Sequence, residues 1–331
     1  MTQVSTTIDF DREGRQHGWL RVPHSVTRSA YGVVPVPIVL LKNGEGPRIL
    51  LTAGNHGDEY EGQIALTRLV QRLDPGEMRG TLIVIPALNA PAARAGTRTS
   101  PLDEGNLNRV FPGDPHGEPT WQIADYVENH LLPRVEVVGD FHCGGASLAY
   151  RPHASTHFEP DASDDLKRRS QEGVRALGVP HVMIFEQRQN PGGLPGAAKR
   201  QNVVYLGGEY GGTGSLPAAN LALTERAVAR LLSFFGMTDA PLEPLPSPQA
   251  LRIFGPRAYA YAPEAGVFVS SVELGQEVVA GDLCGEVLFP ENPERPGIPV
   301  RFDGSGVVVC KRHPARVEPG DCVAQLAERL P

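Results

Sequence analysis

Residues 48–62, RILLTAGNHGDEYEG, pass from an apolar run into a glycine-flanked polar turn, and the segments around them decide the architecture. Arg48–Ala53 reads as a short buried strand that stops at Gly54-Asn55-His56-Gly57. A helical pattern follows, with Ile64, Leu66, Leu69, Val70 and Leu73 at mixed three- and four-residue spacing. Working outward, 33–41 (VVPVPIVLL) reads as β with an Asn43-Gly44 turn behind it. Residues 80–88 (GTLIVIPAL) read as a second buried strand, and VEVVGDF before His142 as a third. Helical patterns at 164–177 and 219–236, with apolar runs at 181–185 and 203–206 between them, continue the alternation. Strands alternating with helices predict an α/β fold around a mainly parallel or mixed sheet. Ligands of such sheets sit at the carboxyl ends of the strands, and His56 and His142 each follow an apolar strand.

Composition shifts at 238–248 (TDAPLEPLPSP), a proline-rich stretch that reads as a linker. The boundary is expected near residue 245, with a larger unit at 1–245 and a β-rich unit at 246–331. The second unit carries an internal repeat. Gly266-Val-Phe-Val leads to Gly281-Asp282, and Gly306-Val-Val-Val leads to Gly320-Asp321. Paired β half-motifs of this kind predict a small barrel-like sandwich similar to biotinyl or lipoyl domains. A carrier role is disfavoured, because residues 287–305 offer no lysine for attachment.

With 331 residues, 40% of them hydrophobic and 21% charged, the chain can bury a sizeable core. Its formal charge of −7 argues against nucleic acid or an anionic membrane as partner. Cys143, Cys284, Cys310 and Cys322 show no CxxC spacing, which disfavours a cysteine zinc site. The polar start lacks the form of a signal peptide, and no run approaches membrane-spanning length, so a cytoplasmic location is expected.

Four features carry chemistry. His56-Gly-Asp-Glu59 is an HxxE pair in a strand-exit loop, and an imidazole with a carboxylate can share a divalent metal. Alone the pair is weak, since so short a motif recurs by chance. His142 could complete a three-ligand site with an open position, although a lone strand-end histidine more often serves packing. Asp140 would face the same way and could orient its imidazole, whereas Cys143 would point to the opposite face. Asn108-Arg109 could grip a carboxylate with planar geometry, and Arg98 could steady an oxyanion. The plain alternative for either arginine is a surface ion pair. Glu209, in a glycine-rich turn after Val203–Leu206, could move a proton.

Taken in order, His56-x-x-Glu59, Asn108-Arg109, His142 and Glu209 resemble the succinylglutamate desuccinylase/aspartoacylase family over roughly residues 45 to 235. The resemblance implies a zinc-carboxypeptidase-like fold with a β domain after it, and a cytoplasmic amidohydrolase acting on small N-acyl amino acids. It implies one Zn2+ per chain held by His56, Glu59 and His142, with Glu209 as general base and then acid. Asn108 and Arg109 would bind the substrate carboxylate. Arg98 would match the family's oxyanion-stabilising arginine, at a spacing a few residues longer. The stretches IDFDREGRQHGWLRVP, GNHGDEYEG and AGTRTSPLDEGNLNRVFPG are closest to a deacetylase branch whose substrate carries a second, cationic amine. Asp103, Glu104 and Glu186 are the candidate partners for that amine. A carboxypeptidase and a purely structural metal site are the rival readings. Self-association, and whether the β-rich unit caps the pocket or mediates it, stay open.

Overall fold

A computed structural model describes residues 2–186 and 192–331. Among the described residues one 15-stranded sheet runs through the molecule. Its centre orders Val33–Asn43, Gly80–Ile85, Arg48–Ala53, Val137–His142, Val204–Glu209, His153–Phe158 and His181–Glu186 side by side. From Gly80–Ile85 to Val204–Glu209 the strands are parallel. His153–Phe158 then runs the other way. The architecture is the mixed α/β sheet flanked by helices that alternation predicted, followed by the β-rich unit expected from the repeat, part of which forms a second, four-stranded antiparallel sheet.

The central strands read as unbroken apolar runs because both of their faces are covered. Leu50 and Ile83 pack on one side with Ile123, Ala124 and Ala197, from helices Pro119–Tyr126 and Leu194–Arg200. Their neighbours Ile49, Leu51, Leu82 and Val84 pack on the other with Leu66 and Leu231, from helices Tyr60–Arg72 and Ala218–Phe234. Each such side chain contributes about 1.5–3 kcal/mol by leaving water. None of the helices among the described residues is long and apolar enough to cross a membrane.

Register gathers the polar strand ends. Ala53 lies beside Phe141, and Glu209 lies beside both His142 and His153. Three strand exits far apart in sequence therefore open on one rim. The first is held tightly: a Cβ on Gly57 would lie 2.0 Å from the backbone of Ala92. Gly57→Ala should force the His56 loop off the Ala90–Ala95 helix. The expected cost is toward or beyond the upper end of the roughly 1–3 kcal/mol typical of overpacking. It would be read as a lowered Tm, and an unchanged Tm would refute the contact.

The β-rich segment realises the repeat by exchange. Gly266–Ser270 pairs with Leu283–Leu288, and Gly306–Arg312 with Cys322–Arg329. The short strand inside each half crosses over: Glu277–Val278 pairs with the second half, and Arg316–Val317 with the first. The equivalent turns match, since Asp282 and Asp321 each accept a backbone N–H three residues earlier at 2.9 Å. Residues 239–248 form neither helix nor strand. Beyond them Gln249–Arg252 lies parallel to His181–Glu186 and antiparallel to Cys322–Arg329, which makes the sheet continuous. Leu148–Tyr150 adds a second stitch against Gly306–Arg312.

Candidate active site

The rim holds a cavity of about 740 Å3 lined by His56, Glu59, Arg98, Asn108, Arg109, His142 and Glu209. That volume suits a small molecule. The residues expected to bind metal, move the proton and hold the acyl oxygen and carboxylate are therefore brought to one place.

His56, Glu59 and His142 are all buried, and each offers a ligand atom within 4.8 Å of the others. Glu59 stands at the N-cap of helix Tyr60–Arg72 but makes no capping bond with its side chain. Its carboxylate instead meets Nδ1 of His56 at 2.6 Å and Nδ1 of His142 at 2.8 Å. The far nitrogens settle the chemistry. His142 Nε2 lies 2.9 Å from Asp140 Oδ2, and His56 Nε2 lies 3.1 Å from Asn106 Oδ1. Asn106 Oδ1 also accepts from the Asn108 backbone N–H, which fixes it as the oxygen. Both Nε2 atoms must therefore donate, so a neutral ring presents a lone pair at Nδ1. Two lone pairs then face two carboxylate oxygens, an arrangement that needs a cation between them. A proton or a divalent metal would serve, and the donor set fits a metal.

Electrostatics agree. Burial alone would lift the Glu59 carboxyl, yet His142 and His56 together hold it well below the usual carboxylate range. Burial alone would depress His142, but Asp140 and Glu59 raise it above the ordinary histidine value. Arg98 adds positive charge, with Nη1 3.3 Å from His56 Nδ1 and 3.7 Å from Glu59 Oε1. The longer spacing in sequence thus does not keep it from the site.

Glu209 ends its strand with Oε2 buried and without a hydrogen-bond partner among the described residues. Burial first, and the Glu59 charge second, push its carboxyl up to about 8. Across the cavity Asn108 Oδ1 accepts from the Leu194 N–H at 3.1 Å. The exposed Arg109 donates to the Asn108 carbonyl at 2.8 Å.

Asp140 and Asn106 brace the two imidazoles. Asp140 also accepts from Thr52 Oγ1 at 2.9 Å and from the Tyr205 hydroxyl at 3.3 Å. Residue alternation had pointed to Asp140; Asn106 was visible only as part of its motif. Partners of this kind typically set metal affinity within 10–100-fold. Asp140→Asn should weaken divalent-metal retention by about that factor, measured by chelator competition. Unaltered affinity would remove Asp140 from that role.

Two neighbouring acids hold the loops. Asp58 Oδ2 accepts from the Ala146 N–H at 2.7 Å, and Glu61 Oε1 from the Gly212 N–H at 3.3 Å. The same loops join where the Gly144 N–H meets the Gly211 carbonyl. Gly212 needs to be glycine, since its φ is +137° and a Cβ would lie 2.1 Å from the Leu148 carbonyl oxygen.

The acids expected to meet a substrate amine do not reach the cavity. Asp103 is engaged by Thr120 and by the Gly105 N–H. Glu104 is exposed, with φ 54°. Glu186 lies 3.5 Å from Lys167, because strand alternation sends Met183 and Phe185 inward and Glu186 outward. Cys143 is buried but belongs to the cavity wall, and burial, with the charges of Glu59 and Glu61, pushes its thiol well up. The β-rich segment contributes Ile253, Gly255, Tyr259 and Gln325 to the cavity wall.

Comparisons with known proteins agree with this geometry. The succinylglutamate desuccinylase/aspartoacylase catalytic domain matches residues 45–235. An N-alpha-acetyl-L-2,4-diaminobutyric acid deacetylase from Halomonas elongata is 39% identical over 326 residues, covering 98% of this chain and 95% of that protein. The product-bound ectoine utilization protein EutE (DoeB) from Ruegeria pomeroyi superposes with a TM-score of 0.94 at 35% identity, over 99% of both chains. A succinylglutamate desuccinylase from Silicibacter sp. TM1040 also reaches 0.94, at 34% identity, over 100% of this chain and 99% of its own.

Proposed function

The chain belongs to the succinylglutamate desuccinylase/aspartoacylase family, and from that premise we propose that it is a zinc-dependent deacylase. Its substrate is N-alpha-acetyl-L-2,4-diaminobutyrate, and its setting is ectoine degradation in the cytoplasm. The observation that carries the chemistry is the convergence of His56, Glu59 and His142 in one cavity with Glu209, whose Oε2 has no hydrogen-bond partner among the described residues. The similarity to the Halomonas elongata deacetylase carries the choice of substrate. The four free thiols suit a reducing compartment.

Zinc, held by His56, Glu59 and His142, would supply Lewis acidity toward the acyl oxygen and toward water. The remaining steps belong to side chains. Glu209 takes the proton of the attacking water and later delivers it to the departing amine. Arg98 stands beside the metal-ligand cluster, where it can stabilise the negative charge that grows on the acyl oxygen. Asn108 and Arg109 hold the substrate carboxylate. Among the described lining residues these two arginines are the cations. A second carboxylate on the substrate would therefore find no partner, which favours this substrate over N-acetylaspartate or succinylglutamate.

The test is amine release by zinc-loaded protein from N-acetyl-diaminobutyrate, N-acetylaspartate, succinylglutamate and short peptides. N-acetyl-diaminobutyrate should be preferred by kcat/KM, and preference for a peptide or a diacid would overturn the reading. Arg109→Lys should lower kcat/KM by roughly 10–100-fold, mainly through KM, since a hydrogen bond to a charged group contributes about 1.5–3 kcal/mol.

A further inference from the structure

Strand His153–Phe158 is polar where a central strand is normally apolar. Its even positions behave conventionally: Ala154 and Phe158 are buried, and the Thr156 hydroxyl donates to the Tyr205 carbonyl at 2.7 Å. Its odd positions, His153, Ser155 and His157, all line the cavity, as strand alternation requires. The mechanism above uses none of them.

Each presents an uncharged hydrogen-bonding group. His153 Nδ1 lies 3.2 Å from the Arg151 carbonyl and must donate there, so Nε2 carries the lone pair. The Ser155 hydroxyl has no hydrogen bond among the described residues. The His157 ring stacks on Phe185, with centroids 4.4 Å apart and planes at 12°, and meets Tyr205 edge-on at 5.4 Å. Its Nδ1 is buried and has no partner among the described residues. Burial keeps both imidazoles neutral, pushing His153 down to about 4 and His157 down to about 3, the latter helped by Lys199.

Among the described lining residues the carboxylates are Glu59 and Glu209, and the mechanism above uses both. A cationic side chain entering this cavity must therefore be received by something other than an acid. We propose that the face formed by His153, Ser155 and His157 is the subsite that reads the substrate's side-chain amine, through neutral lone pairs and flanking aromatic rings. The inference rests on the deacylase reading above and names what selects its substrate. Register supports the placement. His153 pairs with Glu209, and Ser155 stands two residues, about 7 Å, further along, within reach of a short aminoalkyl side chain. Neutral imidazoles accept from an ammonium, and the aromatic rings of Phe185 and Tyr205 line the same wall.

The experiment compares zinc-loaded wild type, His157→Phe and Ser155→Ala on two substrates. One is N-acetyl-diaminobutyrate; the other is N-acetyl-norvaline, the same shape with a methyl in place of the ammonium. Wild type should favour the amine by at least about tenfold in kcat/KM, as expected for one lost hydrogen bond to a charged group. Each variant should shrink that ratio several-fold. His157→Phe keeps a stacking ring, and Ser155→Ala answers independently should the first variant not fold. An undiminished ratio in the folded variants would overturn the subsite and leave the deacylase reading intact. Equal rates on the two substrates in wild type would overturn it as well. Failure of wild type on both, with turnover of another N-acyl amino acid, would remove the substrate assignment and the subsite with it.

Discussion

Glu209→Gln is expected to lower kcat by about 10²–10⁴-fold while bound metal stays at the wild-type ratio. The amide matches the carboxylate in shape, so the strand end beside His142 and His153 should not move. What it loses is the capacity to take up a proton and give it back. Glu209 Oε2 is buried without a partner among the described residues, so no structural hydrogen bond is broken by the change. Steady-state rates with metal analysis of the same preparation provide the readout. Near-normal turnover at full metal occupancy would eliminate Glu209 as the proton carrier.

His142→Ala should strip the metal and the activity together. Its imidazole joins Glu59 on one side, at 2.8 Å, and Asp140 on the other, at 2.9 Å. Removing it leaves two buried carboxylates facing an empty space. Breaking a buried pair in this way typically costs about 3–5 kcal/mol, so Tm should fall as well. Elemental analysis after dialysis should find the variant essentially free of zinc. A variant that retained stoichiometric metal and turned over substrate would show that the three-residue cluster is not the metal centre.

The parts that could be read in advance are those whose physics is local. Arg48–Ala53 and Val204–Glu209 announce themselves because strands buried on both faces must be apolar throughout. Strand ends then supply polar residues at a predictable rim. The spacing of His56 and Glu59 is local too, and so is the alternation that puts Asp140 beside His142.

What stayed hidden obeys no local rule. Strand Gly14–Pro23 buries Gln16 and Gly18 along with Leu20 and Val22, so its alternation is masked by residues that are not apolar. Asn106 reaches His56 across fifty positions of sequence, a contact set by the fold of the loop. His153–Phe158 escaped notice because its inward face lines the cavity and so lacks an apolar pattern. Local rules tend to fail where a protein binds something. The misplacement of Glu186 is the same lesson in reverse: its charge suggested a role, and strand parity turned it outward.

The double stitching of the β-rich segment has a mechanical corollary. Backbone ladders tie it to His181–Glu186 through Gln249–Arg252 and to the loop after His142 through Leu148–Tyr150. A swinging motion of the two lobes as rigid bodies would have to tear those ladders, so the described residues offer no hinge between them. At the rim the exposed Arg109 can still rotate, as exposed side chains do in nanoseconds or less.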